Sequence, residues 1–178
     1  MYPGAGVTEV SGINDKGDIV GTALPNPSSS GKGFLLVDDQ FTDIQFPGAA
    51  GTGATAINNR GVIVGDYFDQ QAVAHGFILA NNQYTSLDFP GAVSTTVSGI
   101  NDAGEIVGQY SMTNEPLQSF VYERGQFKTV NIPNTIRSSV YAVNARGDLT
   151  GQTFTDRQTQ PPYLGNELQI GYLGITKP

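Results

Sequence analysis

The sequence predicts an all-β protein, a four-bladed β-propeller made of four repeats of about 43 residues. An Asn-x-x-Gly segment recurs four times at nearly constant spacing. The runs between these segments are short and rich in Ile and Val, and no window keeps a helical period. Charged residues are 14% of the chain, against a typical value of about 25%, which disfavours long solvated helices.

The repeats are defined by two landmarks. The asparagines of the Asn-x-x-Gly segments are spaced 44, 43 and 43 residues apart, and an aromatic residue follows each at a constant 43-residue spacing. The landmarks are Asn14, Asn58, Asn101 and Asn144, then Phe34, Phe77, Phe120 and Tyr163. A single domain over residues 1–178 therefore divides at approximately 7–50, 51–93, 94–136 and 137–178, and residues 1–6 precede the first repeat. The extra residue of the first repeat lies in the loop at 25–31, where insertions are tolerated.

The sequence of each repeat predicts four consecutive strands. In the first repeat, residues 8–13 form the first strand, and an Asn-x-x-Gly turn follows because Asn bonds its own backbone and Gly accepts a positive φ. Residues 18–23 are the second strand, since Ile and Val favour strands. A polar loop leads to a third strand at 33–37. A short turn then leads to a fourth strand that starts near residue 41, with apolar residues at recurring positions.

The two ends of the chain predict a closed ring. Tyr2-Pro3-Gly4-Ala5 resembles the Phe-Pro-Gly-Ala ending of the first and second repeats, so residues 1–6 are expected to close the ring against or near the last repeat. Small residues recur in two columns, as expected near a narrow axis: Gly12, Ala56, Gly99 and Ala142, then Gly21, Gly65, Gly108 and Gly151. The alternative is two chains forming one eight-bladed ring, and a monomer is preferred over that ring-completing dimer.

Composition excludes several classes of function. The net charge of −7 argues against a nucleic-acid partner, because phosphate binding depends on clustered Lys and Arg. No stretch approaches the length of a membrane helix, and the first residues carry no signal-peptide pattern. The absence of cysteine excludes disulfides, thiolate zinc sites and cysteine nucleophiles. No cofactor is expected, and the compartment stays unknown from these observations.

Candidate ligand-binding residues are found by comparing equivalent positions of the four repeats. Positions that carry different residue types in different repeats are candidates, because an asymmetric ligand needs an asymmetric binding surface. They lie near the inter-blade connections or in the second strands and the loops after them, and in a propeller these segments meet around one axial mouth. Aromatic walls with a few polar groups are typical of pockets, although a solvated rim explains them equally well. The candidates are Glu9, Asp66, Tyr67, His75, Gln109, Tyr110, Arg137, Gln152 and Asp156.

His75 is the only histidine, so neither a zinc site of several histidines nor a serine triad is expected. It could act as a general base oriented by Asp66 or Asp69, but a histidine that bonds a neighbouring carbonyl at a strand start is the simpler explanation. The Asn-x-x-Gly segments do not predict calcium sites, since the second and fourth copies lack the carboxylates that an EF-hand-like loop needs. No metal is expected.

The repeats resemble the bacterial HAF repeat, a family described as a probable extracellular repeat. The matching residues are His75-Gly76-Phe77, Asp88-Phe89-Pro90-Gly91-Ala92, Gly99-Ile100-Asn101 and Gly104-Glu105-Ile106-Val107-Gly108-Gln109-Tyr110. The resemblance covers the whole chain in four copies and implies a propeller-like fold and a tendency towards secretion. It implies no catalytic residues. Only one repeat keeps the histidine, since Lys32, Gln118 and Pro161 replace it elsewhere.

The functional expectation is a binding or interaction module that recognises a small molecule, a glycan or a protein at the axial mouth. One alternative is a metal-independent enzyme at the same mouth, a lyase, isomerase or cyclase that uses Glu9, Asp66, His75 or tyrosines as acids and bases. A purely structural surface protein is the second alternative. The fold alone decides between none of these.

Overall fold

The structure is a computed structural model that describes residues 1–133, 135 and 137–154. The described residues contain strands and turns but no helix. The strands are β1 Val7–Ile13, β2 Ile19–Leu24, β3 Lys32–Val37, β4 Gln40–Ile44, β5 Gly51–Ile57, β6 Ile63–Phe68, β7 Ala74–Ala80, β8 Gln83–Leu87, β9 Ser94–Ile100, β10 Ile106–Ser111, β11 Gln118–Glu123, β12 Gln126–Thr129, β13 Arg137–Val143 and β14 Leu149–Phe154. The all-β prediction is confirmed for this part of the chain.

Each repeat forms its own antiparallel sheet. Strands β1–β4, β5–β8 and β9–β12 make three four-stranded meanders in sequence order, and β13 pairs with β14 in the fourth sheet. We call these the first to fourth sheets. The outer strands expected in the fourth repeat, with Tyr163 and Asp156, lie outside the described residues. The predicted order of strands within a repeat is therefore confirmed for the first three repeats.

A β-bulge in each first strand explains the glycines of the second strands. The register between the two strands shifts around Ser11, and at the equivalent place in the other three sheets. The shift turns the carbonyl of Glu9 toward Gly21, where an added Cβ would lie 2.0 Å from that oxygen. The equivalent distances at Gly65 and Gly108 are 2.0 and 2.1 Å, so these positions accept no side chain.

The Asn-x-x-Gly segments are hairpin turns that also join neighbouring sheets. In the second repeat the Asn58 Oδ1 accepts the N–H groups of Arg60 and Val62, both at 3.0 Å, and Gly61 has a φ of 77°. The Nδ2 of Asn58 donates to the carbonyl of Asn101 in the third sheet at 3.1 Å. The same bond joins Asn14 to Asn58 and Asn101 to Asn144. This asparagine ladder ties the four sheets together at one end.

The hydrophobic core is divided among the gaps between consecutive sheets. One cluster joins the first and second sheets around Val20 and Phe77, a second joins the second and third around Val97 and Phe120, and a third joins the third and fourth around Val140. In each gap the second strand of one sheet, with its neighbouring strands, packs on the first strand of the next sheet. The aromatic landmarks Phe34, Phe77 and Phe120 are fully buried.

The N-terminal segment packs on the first sheet. The ring of Tyr2 contacts those of Phe34 and Phe41, and its hydroxyl donates to the Asp43 carboxylate. Its N–H donates to the Thr8 hydroxyl at 3.1 Å, as Phe46 and Phe89 do to the matching threonines Thr52 and Thr95. Tyr2 thus has the same role as the repeat endings, as its sequence indicated. No hydrogen bond or ring contact joins this segment to the fourth-sheet residues that the structure describes, and its predicted position near the last repeat stays a prediction.

The four sheets follow one another without closing a ring among the described residues. Strands β13 and β14 do not pack against β1 in the way that β2 packs on β5 or β10 on β13. Consequently no sheet of the described residues covers the outer side of β1, and Val10 and Ile13 are 65% and 64% exposed. The observed architecture is a succession of four antiparallel sheets with similar packing at each step.

Candidate functional site

A cleft between the first and second sheets includes Asp66, one of the predicted site residues, in its lining. Its volume is about 440 Å³, and it opens where the β2–β3 loop meets the start of β5. Seven of the thirteen lining residues carry a hydroxyl and one carries a carboxyl, and the apolar part of the lining includes Leu24, Ala54 and Phe68. The polar lining residues are Ser11, Thr22, Ser28, Ser29, Ser30, Thr52, Thr55 and Asp66. We call this cavity the Asp66 cleft.

Asp66 is the carboxyl group of the cleft. It lies on β6 between Gly53 and Gly76 of the flanking strands, where the lack of neighbouring side chains leaves room for it to extend toward the third sheet. Its Oδ1 accepts the N–H of Val97 at 2.7 Å, and this bond satisfies a backbone group next to the bulge of β9. Asp66 therefore joins the second and third sheets through its carboxyl, and it is also one of the residues that line the cleft.

Burial controls the acidity of Asp66. Loss of hydration raises the pKa of this carboxyl to about 7, although the hydrogen bond from the Val97 N–H favours the ionised form. No Lys, Arg or His lines the cleft beside it. A carboxyl with a near-neutral pKa in a cavity can exchange a proton at physiological pH or pair with a cation that enters.

Equivalent positions carry polar side chains that span the gaps between sheets. Thr22, Asp66, Gln109 and Gln152 lie opposite residues 9, 53, 96 and 139 of the first strands. The Gln109 Oε1 accepts from the Ser139 hydroxyl at 3.4 Å across the third gap. The prediction placed these residues at one mouth, but they occupy successive gaps, and of the predicted candidates the Asp66 cleft includes only Asp66.

The two candidate tyrosines lie on the other side of their strands, because neighbouring strand residues point to opposite faces. Tyr67 stacks on Phe46 with the ring centroids 3.8 Å apart, and Tyr110 stacks on Phe89 at 3.6 Å. Each pair joins a repeat ending to the following sheet. The expectation that these tyrosines form an aromatic wall beside Asp66 is therefore not met, and they contribute to packing.

His75 is held by two carboxylates from neighbouring segments. Its Nδ1 is 2.9 Å from the Asp88 Oδ1, its Nε2 is 3.5 Å from the Asp69 Oδ2, and its ring stacks on Tyr67. Of the two predicted partners Asp69 is observed and Asp66 is not. The Ser86 hydroxyl donates to the Asp88 Oδ2 at 2.6 Å, so it is bound to the carboxylate instead of the histidine. A Ser-His-Asp arrangement is thus not formed here.

Asp69 has a structural role that accounts for its acidity. Its Oδ1 accepts the N–H groups of Val73 and Gln71, both at 2.8 Å. The bond from Val73 is the main reason that the pKa of Asp69 lies below its usual value. With one carboxylate at each ring nitrogen, the two acids do not converge on one point, and the described residues contain no group of three or more potential metal ligands.

The remaining candidates do not join a common site. Glu9 is exposed on β1 and does not line the cleft. The guanidinium of Arg137 lies 3.6 Å from the centre of the Phe154 ring, and Gln152 is half-buried on β14 opposite Ser139. Asp156 lies outside the described residues. The predicted set therefore divides into Asp66 in the cleft, His75 with Tyr67 at a separate cluster, and residues placed singly.

The serine and threonine residues of the cleft were not predicted as site residues. Two of them, Ser11 and Thr55, occupy the bulge positions of their strands, and a bulge cannot be read from residue type alone. Ser28–Ser30 come from the loop that carries the extra residue of the first repeat. That insertion and its run of serines are the only features of the sequence that could have indicated the cleft.

The part of the chain that the structure describes contains no helix able to cross a membrane. The chain matches no protein-family model and no curated protein. The resemblance to the HAF repeat therefore gains no support from these comparisons and depends on the quoted residues alone.

Proposed function

We propose that this protein is a binding module in which the sheets act as blades of a β-propeller and the Asp66 cleft holds a small hydroxylated ligand with a cationic group. An amino sugar or amino alcohol has this chemistry. The single observation that carries the proposal is a residue whose carboxyl has a raised pKa in the lining of a cavity to which seven hydroxyl-bearing residues contribute. The resemblance to HAF repeats belongs to the same proposal.

The propeller part of the proposal is supported by the constant relation between neighbouring sheets. At every step the second strand of one sheet packs on the first strand of the next, and the asparagine ladder repeats the same bond. Propeller blades are four-stranded antiparallel sheets that repeat one packing arrangement from blade to blade, so this repeated packing supports the proposal. A four-bladed ring within one chain additionally requires that the fourth sheet covers β1.

The ligand class follows from the lining. Hydroxyl groups both donate and accept, so they match the hydroxyls of a polyol. An ammonium group that reaches Asp66 stabilises the ionised carboxylate and offsets the desolvation that raises its pKa. Binding of a carboxylate or phosphate ligand is disfavoured. No Lys, Arg or His is among the described residues that line the cleft, and the chain has a net charge of −7.

Amide chemical shifts during titration with three sugars test the proposal. Glucosamine should shift the amide signals of the cleft, including Thr52, Gly53 and Thr55, at lower concentration than glucose, and glucuronic acid should have the weakest effect. Asp66→Asn should remove the preference for the amine. Glu9→Gln is the matched control, because it also neutralises one carboxylate near the same end of the sheets, and it should titrate like the unmodified protein.

Two results of this titration would contradict the proposed function. If none of the three sugars shifts the cleft signals, or if the shifts appear elsewhere on the protein, the Asp66 cleft is not a sugar-binding site. A preference for glucosamine that survives in Asp66→Asn would show that the carboxyl does not select the ligand.

The near-neutral pKa of Asp66 also supports a second candidate, the metal-independent enzyme. A general acid or base works best when its pKa is close to the working pH. Product signals that appear during prolonged incubation with any of the three sugars, and are absent with Asp66→Asn, would favour an enzyme over a binding module.

A further inference from the structure

The outer side of β1 has the composition of a packing surface. Val10 is 65% exposed, whereas its counterparts Ala54, Val97 and Val140 are 1%, 3% and 4% exposed in the gaps between sheets. Ile13 is 64% exposed against 7% for its counterpart Ile57. The first sheet therefore presents the side that in every other sheet is covered by the preceding sheet.

The opposite end of the array has the complementary feature. Asn14, Asn58 and Asn101 are buried, and each donates its Nδ2 to a backbone carbonyl of the following sheet. Asn144 is exposed, and its Nδ2 donates to Asp148 of its own turn. The fourth sheet thus ends the ladder with an asparagine that has no following sheet among the described residues.

We propose that a second copy of this chain docks on the exposed side of β1 with its fourth sheet, and that two such contacts close an eight-bladed ring. The proposal depends on the propeller interpretation but not on the ligand of the Asp66 cleft. The docking side chains on one copy are Val10 and Ile13. On the other copy they are the β14 surface and Asn144, whose Nδ2 reaches the carbonyl of Asn14.

The internal packing of the chain supports this partner. Among the described residues, the exposed side of β1 and the outer side of the fourth sheet correspond to the two halves of an interface that consecutive sheets form three times. Two different surfaces that fit each other form rings or filaments. Propellers commonly have between four and about eight blades. A ring of two chains with four blades each lies within this range, whereas a ring of three such chains does not.

Closure within one chain fits the observed positions less well. Strands β13 and β14 belong to the described residues, and they do not pack on β1 in the way that β2 packs on β5. A second copy can cover β1 without any change in the packing between consecutive sheets. We therefore assign the exposed side of β1 to an intermolecular contact.

Light scattering coupled to size exclusion tests this proposal on the full chain. We expect a mass of twice the 18.8 kDa of one chain over a wide concentration range. Val10→Lys and Ile13→Lys should each give the mass of one chain, because a buried lysine opposes the contact. Val93→Lys is the matched control, since Val93 is also exposed, at 50%, but precedes β9; it should stay a dimer.

Three results would overturn the second-copy proposal. A single-chain mass for the unmodified protein, combined with a large loss of stability in Val10→Lys, would mean that the ring closes within the chain, and the propeller interpretation would survive. A single-chain mass with no loss of stability would mean that β1 faces solvent and that the ring interpretation fails as well. A dimer that persists in both lysine variants would place the interface elsewhere.

Discussion

The Asp66 carboxyl shows how one side chain can have both a structural and a functional role. Its hydrogen bond from the Val97 N–H connects the second and third sheets, while the same residue is part of the lining of the Asp66 cleft. Burial raises its pKa to about 7, so its charge is present in the native state only near and above neutral pH. The same group therefore links the stability of the fold to pH.

Asp66→Asn should change the pH dependence of unfolding. Because the folded pKa is raised, the folded state binds its proton more tightly than the unfolded state, and the contribution of Asp66 to stability falls as pH rises from about 4 to about 7. Asparagine keeps an oxygen acceptor for Val97 without a charge to desolvate. Urea unfolding should therefore show a stability gain of the variant over the unmodified protein that grows from pH 4 to pH 8.

The size of that gain is limited by the shift itself. A shift from 3.8 to about 7 corresponds to no more than about 4 kcal/mol at pH 8. Glu9→Gln is the control, since Glu9 is exposed, and it should show no such growth. A difference between Asp66→Asn and the unmodified protein that stays constant from pH 4 to pH 8 would contradict the assigned burial of this carboxyl.

At the level of the elements, the asparagine turns connect local folding to the packing of the sheets. Each asparagine holds its own hairpin through its Oδ1 and reaches the next sheet through its Nδ2. The turn could be predicted from the sequence, because Asn and Gly at this spacing have a local reason to be there. The ladder could not, since it depends on how two sheets approach each other.

Asn58→Ala and Asn144→Ala separate these two contributions. Both variants lose the two N–H···Oδ1 bonds of the turn. In the Val10→Lys background, where no second copy follows the fourth sheet, Asn58→Ala also leaves the buried Asn101 carbonyl without its cross-sheet donor, whereas Asn144→Ala loses only an exposed bond to Asp148 in addition. In that background we expect Asn58→Ala to lose about 1–2 kcal/mol more of unfolding free energy than Asn144→Ala. Equal losses in the two variants would show that the ladder adds nothing to stability.

The sequence predicted the strands well and the site poorly, for one physical reason. Repeated residues such as Phe34 and Gly21 have the same surroundings in each sheet, so periodic spacing was enough to identify them. The cleft arises where repeats differ, at bulge residues such as Thr55 and in an inserted loop. Tyr67 was misplaced because it follows Asp66 directly and therefore points to the opposite face of the strand.

At the level of the whole molecule, the main question is how the array of sheets ends. Consecutive gaps bury equivalent apolar residues, while the two terminal surfaces are left uncovered among the described residues. An uncovered apolar surface favours association. The sequence suggested closure through residues 1–6, but Tyr2 packs within the first sheet, and this contact is local to one repeat.

Distances between spin labels on the asparagine turns test the ring most directly. The chain contains no cysteine, so Lys16→Cys, Arg60→Cys and Arg146→Cys, all at exposed turn positions, allow labels at chosen pairs, with labelled chains diluted in unlabelled protein. For an eight-bladed ring the distance from 16 to 146 should be about 2.4 times that from 16 to 60. A ratio of about 1 would instead indicate a four-bladed ring in one chain, and a ratio of about 3, as in a straight stack, would contradict the propeller itself.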